Sequence, residues 1–133
     1  MNKSYTSKFY TTIKQSEKLL KFLSPDSADM YYPNRVGIDN YALSIEWKNG
    51  LPLLSQEIPC WSLQALLDEI PDTIINKQEE DLKLHIDKED YSYGLFYENE
   101  YTGDMFEIET DYHDNMIDAC VEMLVKLNKK NLL

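Results

Sequence analysis

Asp81-Leu-Lys-Leu-His-Ile-Asp87 alternates without a break, Leu82, Leu84 and Ile86 on one phase and Lys83, His85 and Asp87 on the other. Successive side chains of an extended chain point to opposite faces, so this pattern describes a strand with one buried face. Two runs of similar character follow. Residues 91–97 come after Lys88-Glu89-Asp90, and residues 104–110 come after a turn that contains Gly103. Three strands joined by short connections form an antiparallel meander most economically. Leu43, Ile45 and Trp47 also alternate, among the turn formers Pro33, Gly37, Asn40, Gly50 and Pro52. They predict a short strand over 42–47, which would make the sheet four-stranded.

Three segments carry the 3.6-residue period of a helix. In 9–23, Phe9, Ile13, Leu20 and Leu23 share a face that excludes Lys14, Lys18 and Lys21. Thr12 followed by Gln15 has the form of a capping box that would start the regular helix there. Ser24-Pro25-Asp26 ends it and begins a second short turn, with Pro at the first helical position. Pro59 opens the next element, over 60–70, where Leu63, Leu66, Leu67 and Ile70 recur at helical spacing before Pro71 stops it. Asp114 or Asn115 caps the last helix, over 115–129, whose stripe is Met116, Ile117, Cys120, Met123, Leu124 and Leu127. Asp118 near its start and Lys126, Lys129 and Lys130 near its end suit the helix dipole. The expected architecture is one α+β domain over 1–133, a meander of three or four strands packed with about three helices.

A chain of 133 residues buries roughly two thirds of its unfolded surface, enough for one core without metal or disulfide. Its charge is lopsided. Residues 1–50 hold seven bases and five acids, whereas 51–133 hold six bases and nineteen acids, for a net of -11. Between Lys88 and Lys126, 37 residues contain eleven carboxylates and no Lys or Arg. Phe96, Phe106 and five tyrosines give that block the apolar bulk that disordered acidic tails lack, so it reads as folded surface. Such a field repels nucleic acid and anionic lipid, and points to a basic protein partner or a divalent metal. Cys60 and Cys120 have no C-x-x-C spacing and read as buried, reduced thiols. Met1-Asn2-Lys3-Ser4-Tyr5 leads into no apolar signal core and no stretch has membrane-span length, so the expected location is cytoplasmic.

Three stretches carry a family resemblance: Ala28-Asp-Met-Tyr-Tyr-Pro33, Pro59-Cys-Trp-Ser-Leu-Gln-Ala-Leu-Leu-Asp-Glu-Ile-Pro71 and Asp118-Ala-Cys-Val-Glu-Met-Leu124. Together they resemble a family of small uncharacterised proteins of Bacteroidetes genomes that often accompany prophage or conjugative elements. The resemblance implies a bacterial, intracellular, mobile-element setting, and no cofactor or catalytic residue.

The densest polar constellation is Glu107, Glu109, Asp111, His113 and Asp114. On one strand face Glu107 and Glu109 stand about 7 Å apart, and Asp111 extends the row if the strand continues. Glu109 and Asp111 offer oxygen ligands and His113 a nitrogen, the donor set of a metal site or of a small histidine-assisted enzyme. The same alternation with Phe106 and Ile108 also describes any half-exposed strand, with Asp114 serving as a helix cap. Neither His113 nor His85 has a Ser or Cys nucleophile in a recognisable elbow beside it. The four glycines are too scattered for a phosphate cradle. Tyr31 and Tyr32, before Pro33 in extended chain, either line a partner groove or close the core. The preferred expectation is a non-enzymatic acidic protein that binds a basic partner through Glu107, Glu109, Asp111, Tyr31 and Tyr32. A metal-dependent or histidine-assisted enzyme around 107–113 is the alternative.

Overall fold

Thr12 opens the first helix, α1 (Ile13–Leu19), with the reciprocal bonds its sequence predicts. Thr12 Oγ1 accepts from Gln15 N at 3.1 Å, and Gln15 Oε1 accepts from Thr12 N at 2.9 Å. The computed structural model describes residues 9–33, 45–53, 57–103 and 105–133, without the side chains of 105–107. Phe9 does not join the helix face. It precedes the cap and is 75% exposed, whereas Leu19 is fully buried. A 3-10 turn (Pro25–Ser27) follows where Ser24-Pro25 predicts it, and Ser24 Oγ accepts from Asp26 N.

Strands β1 (Met30–Tyr32), β2 (Glu46–Trp47) and β3 (Ile58–Cys60) form an antiparallel sheet in the order β2-β1-β3. Met30 pairs with Trp47 on one side and Cys60 on the other. The strand expected over 42–47 is seen at its end, and Leu43 lies outside the described residues. The helix expected over 60–70 requires correction: α2 spans Leu63–Glu69, and the residues before it are extended. Thr11 holds them so. Its N–H donates to Trp61 O at 2.9 Å and its Oγ1 accepts from Trp61 N at 3.0 Å. Pro59, which lacks an N–H, is tolerated because β3 is an edge strand. Ser62 is the true cap, accepting from Ala65 N, while Asp29 accepts from Ser62 N and Oγ.

The second sheet is the predicted meander with one strand added, β4 (Thr73–Ile75), β5 (Asp81–Glu89), β6 (Ser92–Glu98) and β7 (Met105–Glu109), in sequential antiparallel order. Its alternation places Ile74, Leu82, Leu95, Tyr97 and Ile108 on the core side, all at most 4% exposed. Asp90, with φ of 54°, turns the tight β5–β6 hairpin in the left-handed conformation that Asp tolerates better than most residues. On β7 the register slips between the Phe96–Glu109 and Glu98–Met105 pairs, a bulge on an edge strand.

Helix α3 (Met116–Lys129) covers the core side of the sheet. Asn115, not Asp114, caps it, with Oδ1 accepting from Asp118 N at 2.9 Å. Its buried surface is wider than the predicted stripe because Ala119 and Val121 are buried as well, the helix being packed by both α2 and β6. Trp61 is fully buried in this main core, its Nε1 donating to Ser27 Oγ at 2.9 Å. A smaller cluster of Met30, Tyr32 and Cys60 lies under the first sheet, joined by Tyr10 and Ile13. Both cysteines are free and buried; burial pushes the Cys60 thiol up to about 11 and the Cys120 thiol to about 12. Among the described residues, no helix is long and apolar enough to cross a membrane.

Candidate protein-binding face

The polar phase of the meander assembles one surface. Lys83, His85, Asp87 and Glu89 of β5 share it with Phe96 and Glu98 of β6, through the pairs Lys83–Glu98, His85–Phe96 and Asp87–Gly94. Phe96 pairs in turn with Glu109 of β7, so His85, Phe96 and Glu109 form a row across three strands. The His85 and Phe96 rings stack, 5.3 Å between centroids and 8° from parallel. His85 Nε2 lies 3.6 Å from Glu98 Oε2, too long for a hydrogen bond, and this buried atom has no hydrogen-bond partner among the described residues. Lys83 Nζ lies 3.6 Å from Glu100.

Gly94 gives this face its relief. The Tyr112 ring lies across it so closely that a β-carbon there would meet ring carbons at 3.3 Å. The Tyr112 hydroxyl donates to Asp87 Oδ2, and this bond to a carboxylate pushes the phenol up to about 12. Beside the ring is a recess of about 220 Å³, walled by Asp87, Phe96, Glu109 and Tyr112 over Gly94 and Leu95. Four carboxylates, of Asp87, Glu89, Glu98 and Glu109, thus border an aromatic surface on which, among the described residues, one lysine, Lys83, sits beside a further acid. A larger open recess of about 580 Å³ lies beside the exposed Trp47 and Leu51. Two of its charged groups serve the fold: Asp29 accepts from Ser62 and Lys48 Nζ donates to Pro25 O. The smaller recess, where the Glu109 carboxylate and the Asp87–Tyr112 pair meet the Phe96 ring, is the better candidate.

Glu122 of α3 organises the other side of β7. Its Oε1 accepts from His113 Nε2 at 2.6 Å and from Asp111 N at 3.0 Å, and its Oε2 accepts from Lys126 Nζ at 2.8 Å. Burial pushes the Glu122 carboxyl up, but the bonds from Lys126, His113 and Asp111 N outweigh it and hold the group below the ordinary glutamate value. Lys126 Nζ also donates to Glu109 O at 2.7 Å. His113 and Tyr93 exchange both backbone hydrogen bonds, which extends the β6–β7 pairing beyond Glu109.

The residues singled out in sequence therefore part company. Glu109 is exposed on the open face, and Glu107 lies on β7 with its side chain outside the described residues. Asp111 is exposed, and His113 turns to α3 and bonds Glu122. Among the described residues, no three His, Cys, Asp or Glu side chains are placed to hold a metal ion. Tyr32 is 2% exposed and donates to Thr11 O at 2.5 Å, so it closes the smaller core. Tyr31, half-buried, donates to Glu46 Oε2 at 2.8 Å, and this bond raises its pKa. Asp87, Gly94, Phe96, Tyr112 and Glu122 were not among the expected site residues. Alternation alone places His85 with Asp87 and Gly94 with Phe96, but only strand pairing brings the two sets together. Comparisons with protein-family models, curated proteins and solved structures find no match to this chain.

Proposed function

We propose that the chain is a non-enzymatic acidic binding protein of the bacterial cytoplasm whose open sheet face docks a basic protein. The observation that carries this reading is the sign of that face, with four carboxylates around the stacked His85 and Phe96 rings. A net charge of -11 supports it, since a field of one sign steers cationic surfaces into contact and suppresses association with nucleic acid. The resemblance to small proteins that accompany mobile elements favours a nucleic-acid-handling enzyme as the basic partner, whose DNA- or RNA-binding surface the acidic face would neutralise.

The test is retention of basic proteins from a bacterial lysate on the immobilised chain across a salt series. Binding should weaken steeply with salt and should be lost with Glu98→Lys or Glu109→Lys. Retention indifferent to salt and to both substitutions would sink this function.

A further inference from the structure

We propose that the recess beside Phe96 receives the guanidinium group of an arginine side chain from the basic partner. This inference rests on the reading of the open face as a docking surface, and gives that surface its central anchor. One side of the Phe96 ring is taken by His85, stacked at 5.3 Å. On the other side, toward β7, its neighbour is Glu109, across the Phe96–Glu109 pair. A planar cation laid in the recess of about 220 Å³ over Gly94 meets the Phe96 ring that walls it. It then meets the Glu109 carboxylate, which has no hydrogen bond or ion pair among the described residues. Asp87 closes the opposite wall. Its Oδ2 is occupied by the Tyr112 hydroxyl, which leaves Oδ1 to accept from the ligand.

The chemistry of the walls selects among cations. Arginine carries a flat, weakly hydrated group that stacks on aromatic rings and offers several donors in one plane, so an aromatic face beside two carboxylates suits it. The compact ammonium of lysine keeps more of its hydration and has no plane to stack. A divalent ion is less suited, since among the described residues no three His, Cys, Asp or Glu side chains are placed to hold one and the Asp87 carboxylate already binds the Tyr112 hydroxyl. Anionic and neutral side chains meet uncompensated negative charge.

The probes are a capped Gly-Arg-Gly peptide, its citrulline counterpart and an oligo-arginine peptide, titrated into the full chain by ¹H–¹⁵N NMR. The short arginine peptide is expected to shift the amides of Gly94, Leu95 and Thr110 first, and to bind at least about tenfold more tightly than the citrulline peptide. Glu109→Gln should weaken it about fivefold. Phe96→Leu should abolish the localised shifts and Phe96→Tyr should keep them, circular dichroism confirming that both fold. Equal binding of citrulline, or shifts unaffected by Phe96→Leu, overturns the arginine site. If oligo-arginine still binds in a salt-dependent way while those local effects are missing, the docking face stands and the recess is not its anchor. If oligo-arginine does not bind even at low salt, both readings fall.

Discussion

Replacing Glu122 by Gln tests whether a charged clasp, rather than apolar contact alone, fastens the end of β7 to α3. The substitution conserves volume and removes one charge. In the native protein Oε1 serves His113 Nε2 and Asp111 N, and Oε2 serves Lys126 Nζ at 2.8 Å. A glutamine oxygen retained at Oε1 turns its amide donor toward the Lys126 ammonium, so donor faces donor. Lys126 is 41% exposed, which limits that pair to about 0.5 kcal/mol after screening. The Glu122 side chain itself is 20% exposed, and weakening its charge-assisted bonds to His113 and Asp111 N adds about 1.5 kcal/mol. A loss of about 2 kcal/mol lowers Tm by about 7 °C in a chain of this length. Urea unfolding followed by circular dichroism measures it. The pH dependence has a definite sign: the Glu122 pKa is lowered in the fold, so its stabilisation is complete above the ordinary value of 4.5 and is lost as pH falls through the folded value. The gap between wild type and variant should therefore be full at neutral pH and shrink below 4.5. A gap that stays constant down to about pH 3, or that never exceeds about 0.5 kcal/mol, would refute the clasp.

Other expectations follow from the same geometry. Trp61→Ala should cost about 3–5 kcal/mol in urea unfolding, because it empties a fully buried site and leaves Ser27 Oγ without its indole partner. Asp87→Asn should bring the Tyr112 phenol down from about 12 toward 10, seen by ultraviolet titration of the tyrosines, because the carboxylate that holds its proton is gone. Cys60 and Cys120 should resist a thiol-specific disulfide reagent at mildly alkaline pH until the protein unfolds, since burial keeps both thiols protonated.

Legibility in sequence tracked how local the causes were. The Thr12–Gln15 capping box and the stripe of α3 depend on neighbours within a few residues, and the structure has both; the 82–86 alternation yields strand β5, but of its apolar phase Leu82 is buried, Leu84 partly so, and Ile86 is 52% exposed. Residues 60–61 read as the entry of a helix because Leu63, Leu66 and Ile70 set the period, whereas Thr11, fifty residues from Trp61, holds them extended. Strand β4 was missed because three residues carry no period of their own. At the site the acids of 107–113 were visible as composition. The irregular pairing after Glu109 was not: Glu109 pairs with Phe96 on the open face, but His113, four residues on, pairs with Tyr93, three residues back, and so turns to α3. Nor was the seat for Tyr112, since Gly94 carries no sign in sequence of the ring that lies on it.

The pairing of Thr11 with Trp61 also bears on the order of folding. Each meander turn closes over a few residues, but this clasp closes a loop of fifty, an added entropic cost of about 2 kcal/mol before any contact compensates it. The meander and α3 should therefore form first, and α1 with the β1–β3 sheet should dock onto them last. Native-state hydrogen exchange would then find Met30–Tyr32 opening at lower free energy than Leu95 and Tyr97. In that partly opened form the sheet that bears Asp87, Phe96 and Glu109 should stay intact, so the acidic face would outlast the part of its own fold that runs from α1 to Cys60.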